Sequence, residues 1–145
     1  MKPLSKRRLV AWVRLLAVTR AAENHLREFL RVNHATTLPR FDVMAALYRH
    51  RDGLTMGELS RALLVSNGNA TAVVDRLEQD RLVRRTPSRT DRRAVGVALT
   101  ATGVARFERL AADHEAEVDR LFGALSTRDL DALTDILTRS KGATA

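Results

Sequence analysis

Thr55-Met56-Gly57-Glu58-Leu59-Ser60-Arg61-Ala62-Leu63-Leu64 and, after Val65, Ser66-Asn67-Gly68-Asn69-Ala70-Thr71-Ala72-Val73-Val74-Asp75-Arg76-Leu77-Glu78-Gln79-Asp80-Arg81 decide how this chain folds. They read as two short helices joined by a turn. Thr55 with Glu58 three residues later fits a capping box, in which each side chain satisfies a backbone N–H that the helix start leaves open. Ser66 is suited to cap the second helix. Ala70, Val73, Val74 and Leu77 recur at i, i+3, i+4 and i+7, which is one helical face. Gly68, Thr71, Ala72, Asp75 and Arg76 fall on the opposite face, small and polar at its start and charged further on. Such a surface lets a helix approach a groove closely and offer amide, hydroxyl and guanidinium groups to base edges.

A hairpin follows at once. Residues 82–87 read as a strand and residues 88–93 as a polar turn. Residues 94–99 alternate small with branched apolar side chains, as a half-buried strand does. From Arg81 to Arg93 stand Arg81, Arg84, Arg85, Arg89, Arg92 and Arg93 against the single acid Asp91. A short loop cannot neutralise that density internally, whereas a phosphate backbone can.

The succession of helix, turn, helix, an Asp91-Arg92-Arg93 tip, Val95 and Val97, and then Leu99-Thr100-Ala101-Thr102-Gly103 resembles the MarR family of winged helix-turn-helix transcriptional regulators. The D-x-R tip and the L-T-x-x-G start of the next helix carry the resemblance in combination. It implies a mainly α fold with a two-stranded β-wing, in one domain over residues 1–145. About 38–100 would form the DNA-binding part, and 4–34 and 101–142 would supply dimerisation helices. The recognition helix would be residues 66–81, its N-terminal half in the major groove. Asn67, Asn69 and Thr71 would lie nearest base edges or phosphates, with Ser66 and Gly68 at the same helix start and Arg76 further along. Gly68 costs a helix about 1 kcal/mol relative to alanine, and close approach to DNA is a reason to keep it. Arg93, then Arg92, would reach a minor groove whose narrow A·T tracts attract guanidinium. Asp91 would hold a wing arginine or the turn in shape. Arg84, Arg85 and Arg89 would contact phosphates, adding affinity without sequence preference.

The chain has 145 residues, enough for one domain with a real core. Aromatic residues make up only 4%, so that core has to be built of Leu, Val and Ala. The formal net charge of +8 favours a polyanionic partner, nucleic acid first. There is no cysteine, which excludes disulfides and thiol-based sensing. The basic amino terminus is followed by no long uncharged apolar run. Neither a signal peptide nor a membrane span is expected, and the location expected is cytoplasmic.

Residues 4–33 read as one helix, with Leu9, Trp12, Leu16, Leu26 and Leu30 on a stripe that Thr19 and Glu23 interrupt. At 1.5 Å per residue it spans about 40 Å. That exceeds what a small monomer needs, so its N-terminal half is expected to meet a second subunit. Thr36 or Thr37 caps the next helix, with Pro39 in its first turn. Thr100 caps a helix to about residue 124, and Ser126 starts the last one.

Members of the resembled family commonly release DNA when a small effector binds, and the expected partners follow from this. They are a pseudo-palindromic duplex operator, a second copy of the chain, and a small aromatic or anionic effector, an aromatic acid or its CoA thioester. Trp12, Leu16, Arg20, His34, Arg40, Phe41, Met44, Tyr48 and Phe107 are the candidate ligand-lining residues, with Arg20 or Arg40 pairing an anion. His25, His34, His50 and His114 show no metal-ligand spacing, and no catalytic motif is present. No metal, cofactor or catalytic residue is expected. The sequence therefore reads as a regulator of transcription, a repressor released by its effector. A constitutive or architectural DNA binder without a ligand, and a basic adaptor for RNA or protein, are the alternatives.

Overall fold

The computed structural model describes residues 1, 3–63, 67–87 and 95–142. Its elements are α1 (Leu4–His34), α2 (Leu38–Arg49), β1 (Leu54–Thr55), α3 (Met56–Leu63), α4 (Asn67–Gln79), β2 (Val83–Pro87), β3 (Val95–Leu99), α5 (Ala101–Leu121) and α6 (Thr127–Lys141). The chain divides into two units, Met1–His114 and Glu115–Ala145.

In the first unit α2 is the hub. Phe41, Val43, Met44, Ala46 and Leu47 are all buried on this one helix. A helix that is apolar on more than one side belongs inside a core rather than on its rim. Around it pack Leu30 of α1, Leu59 of α3, Val74 and Leu77 of α4, Val83, Val97 and Leu99 of the sheet, and Phe107 and Leu110 of α5. The core is thus mostly aliphatic, as the scarcity of aromatics requires. Thr37 caps α2 by accepting the Arg40 N–H at 3.3 Å, with Pro39 in the first turn. The Thr55–Glu58 capping box forms in both directions, at 3.1 and 3.2 Å.

The sheet differs from the two-stranded wing expected. It has three antiparallel strands in the order β1-β3-β2. Leu54 pairs with Val97 and Thr55 with Gly96. A strand of two residues has no periodicity of its own; the free edge of β3 makes it one. For the same reason β3 is not half-buried in alternation: Gly96, Val97, Ala98 and Leu99 are all buried. Its second face carries only Gly96 and Ala98, short enough for neighbouring backbone to cover. Gly53 lies against it, with φ of +100°, and a Cβ there would meet the Val97 carbonyl oxygen at 2.9 Å.

The second helix of the pair also ends earlier than expected, at Gln79 rather than Arg81. Arg81 takes a left-handed φ of +59°. Its N–H donates to the Glu78 carbonyl at 2.9 Å, and the Leu82 N–H to the Leu77 carbonyl at 2.9 Å. This is a Schellman cap. Glycine usually marks that position, and arginine gives no such signal.

In the second unit, Ser126 caps α6 in a reciprocal box with Asp129. The Ser126 backbone N–H and hydroxyl hold the Asp129 carboxyl below its ordinary value. Among the described residues, no helix is long and apolar enough to cross a membrane.

Candidate nucleic-acid interface

Helix α4 buries Ala70, Val74 and Leu77 against the core. That leaves Gly68, Asn69, Thr71, Ala72, Asp75 and Arg76 exposed along its other side. Among the described residues outside its own stretch of helix, nothing lies within 4 Å of where a Cβ on Gly68 would stand. Internal packing therefore does not require glycine there. Asn67 begins the helix, and Ser66 lies outside the described residues.

Strand β2 brings two neighbouring arginines to opposite fates. Arg84 is exposed. The Arg85 guanidinium instead donates to Asp75 Oδ1 at 2.5 Å and to Glu78 Oε1 at 2.7 Å. Its backbone N–H donates to Glu78 Oε2 at 3.3 Å. Partial burial works against the charged guanidinium, but the hydrogen bonds to Asp75 and Glu78 outweigh it and hold Arg85 above its ordinary pKa. Helix α4 and the β2–β3 hairpin are thus tied together on one side of the unit. Pro87 pairs with Val95 at the far end of the hairpin. Arg89, Asp91, Arg92 and Arg93, the expected tip contacts, lie outside the described residues.

The start of α5 is locked to the end of α4. The Thr100 N–H donates to the Leu82 carbonyl at 3.0 Å. The Thr100 hydroxyl donates to the Arg81 carbonyl at 2.8 Å and accepts the Gly103 N–H at 3.0 Å. The L-T-x-x-G motif is thus a joint: Leu99 in the core, Thr100 as cap, Gly103 against backbone.

Of the expected ligand-lining residues, Phe41, Tyr48 and Phe107 form one aromatic cluster between α2 and α5. Phe107 lies 5.4 Å from Phe41 and 4.9 Å from Tyr48, between ring centroids. Met44 is buried in the same core. Sequence reasoning left out two further members. His114 stacks on Phe41 at 4.3 Å, and Glu108 accepts the Tyr48 hydroxyl proton at 3.1 Å. The i+7 spacing of His114 from Phe107 was the available signal. His34 sits at the end of α1 with its Nε2 2.8 Å from Asp113, and its carbonyl accepts from Arg106 at 2.6 Å. Arg40 is engaged by Asp80. On α1, Trp12 and Arg20 are exposed and Leu16 is half-buried.

Burial depresses the pKa of His114. Its folded value therefore lies below the unfolded one of about 6.5. Between the two, the unfolded chain binds more protons, so stability is full above the unfolded value and is lost as pH falls. Wild-type protein is expected to lose more urea resistance than His114→Leu between about pH 7.5 and about pH 5.5. Unfolding midpoints at the two pH values check this, and an equal loss in both proteins contradicts it.

Residues 34–94 match the sequence profile of the MarR family. Over 136 residues the chain is 28% identical to the HTH-type transcriptional regulator MhqR of Bacillus subtilis, covering 94% of this chain and 92% of that protein. The crystal structure of AbsC, a MarR family transcriptional regulator from Streptomyces coelicolor, is similar with a TM-score of 0.85 at 26% identity, covering 99% and 98% of the two chains. A mutant of MarR from E. coli complexed with operator DNA is similar with a TM-score of 0.79 at 25% identity, covering 96% of this chain and 99% of that one. With its helix pair, three-stranded wing sheet and L-T-x-x-G joint, the chain is similar in sequence and in fold to the DNA-binding transcriptional regulators of the MarR family.

Proposed function

We propose that the protein acts in the cytoplasm as a homodimeric repressor that reads a pseudo-palindromic operator and is released by a small aromatic or anionic effector. One observation carries the DNA half of this reading: α4 keeps an exposed polar face while Arg85 ties it to the wing. Ser66, Asn67, Gly68, Asn69, Thr71 and Arg76 meet bases or phosphates in the major groove. Arg84 and Arg89 meet phosphates, and Arg93, with Arg92 second, enters the minor groove while Asp91 holds the turn. Two such modules span half-sites about one helical turn apart. The aromatic cluster supports the effector half, because it joins α2, the hub of the DNA-binding part, to α5. Ligand occupancy there would shift the population toward a dimer whose recognition helices no longer match the operator.

The test begins with a duplex enriched on the wild-type protein from a random-sequence library. Arg93→Ala is expected to weaken binding to it about 10- to 100-fold, the loss of about 1–3 kcal/mol that a specific groove contact carries. The melting temperature should stay unchanged. Equal affinity in a gel-shift titration at fixed salt would reject the minor-groove role. A thermal-shift screen with aromatic acids and their CoA thioesters tests the effector, since a ligand of the folded state raises the melting temperature by mass action.

A further inference from the structure

Arg85 is drawn into the wing arginine cluster by its position in the sequence, yet its guanidinium is spent within the protein. We propose that Arg85 is a positioning residue that fixes the angle between recognition helix α4 and the wing hairpin through Asp75 and Glu78, and so sets operator specificity without touching DNA. This inference rests on the DNA-binding reading above.

Asp75 and Glu78 stand three residues apart, which puts their side chains on one face of α4. A planar guanidinium that bonds both, at 2.5 and 2.7 Å, fixes two points along that helix rather than one. The third bond, from the Arg85 backbone N–H to Glu78 Oε2, ties the strand itself. Guanidinium is suited to this because its donors form a rigid fork, whereas an ammonium is a single point charge. The Arg85 side chain is 26% exposed, less than its partners at 52% and 43%. Its cation therefore faces the helix more than the solvent. Alternation along β2 turns Arg84 the other way. Two adjacent arginines thus divide the work: Arg84 is available to phosphate, and Arg85 holds the frame.

The carboxylates give a test whose sign differs between the readings. Asp75 lies on the helix that enters the groove, so a lone negative charge there opposes DNA. If Arg85 were a phosphate contact, Asp75→Asn would remove that opposition and tighten binding. If Arg85 is a clamp, Asp75→Asn loosens the frame and weakens binding to the selected duplex.

The experiment measures affinity for the duplex enriched on wild-type protein, and for a random-sequence duplex, from about 50 to about 200 mM salt. Arg85→Ala and Asp75→Asn are each expected to weaken the selected duplex about 10-fold, roughly the 1.4 kcal/mol that a factor of ten represents. The slope of log affinity against log salt should not change. The double variant should be no weaker than either single one, and Arg85→Lys should recover part of the loss. Arg84→Ala, as control, should weaken both duplexes alike and flatten the slope by about 0.9 per subunit, as the loss of one phosphate contact does. A flattened slope for Arg85→Ala, or affinity unchanged or tightened by Asp75→Asn, overturns the clamp alone. A wild-type protein that enriches no sequence overturns the DNA reading and the clamp with it.

Discussion

Gly103→Ala is expected to lower the melting temperature by about 10 °C, from a destabilisation of about 3 kcal/mol at about 2–4 °C per kcal/mol in a chain of this size. The reason is steric and local. A Cβ on Gly103 would stand 1.9 Å from the Leu82 carbonyl oxygen and 2.9 Å from its carbon, with Leu99 Cδ2 at 3.2 Å on another side. The Leu82 oxygen cannot simply yield, because it accepts the Thr100 N–H at 3.0 Å. Moving it also strains the bond from the Thr100 hydroxyl to the Arg81 carbonyl. The joint between α4 and α5 would open, so operator affinity should fall together with stability. Gly68→Ala is the matched control. Among the described residues nothing outside its own stretch of helix crowds that position, and alanine there should cost no stability. Differential scanning calorimetry of the two variants decides the matter. A Gly103→Ala protein that melts with the wild type would mean that the close approach to Leu82 is not a constraint.

The same joint marks what could be read from the sequence. Caps were legible at Thr55, Thr100 and Ser126, and at Thr36 or Thr37, of which the structure uses Thr37, because a hydroxyl satisfying a helix start is chemistry within three residues. The apolar stripe of α4 was legible for a similar reason: Ala70, Val74 and Leu77 are spaced by the helix itself. Features that depend on distant partners were not. Strand β1 exists only because β3 offers it an edge. The end of α4 at Gln79 depends on a left-handed residue that is arginine and not glycine. Arg85 lies in a run of basic residues, and composition alone cannot separate a cation facing phosphate from one facing Asp75 and Glu78. His114 was legible as a member of the α5 stripe, but its stacking on Phe41 depends on how α2 lies against α5. In the candidate interface, then, the sequence pattern located the helix and the strand after it, and tertiary contact determined which arginine is held within the protein.

Leu9→Glu combined with Val13→Glu is expected to convert a dimer into a monomer and to cost at least about 100-fold in affinity for a full palindrome, the avidity a second linked site confers. Along residues 4–20 of α1 only Leu16 is even half-buried, while Leu9, Trp12, Val13 and Val18 are each more than half exposed. Leu130, Ile136 and Leu137 of α6 are likewise exposed. Leu9, Trp12 and Val13 fall on one side of α1, and an exposed apolar patch of this kind marks an interaction face rather than a solvated one. Leu9 and Val13 are one helical turn apart and share a side, so two carboxylates there would have to be buried unpaired in any interface that uses it. A DNA-binding unit that stays folded should then hold a single half-site as well as before, because α4 and the wing do not depend on that face. Sedimentation velocity at about 10 μM gives the oligomeric state, and titrations with full-site and half-site duplexes separate avidity from intrinsic affinity. A variant that remains dimeric would move the interface away from this side of α1. A monomer that binds the full site as tightly as wild type would show that the regulator reads its operator without symmetry.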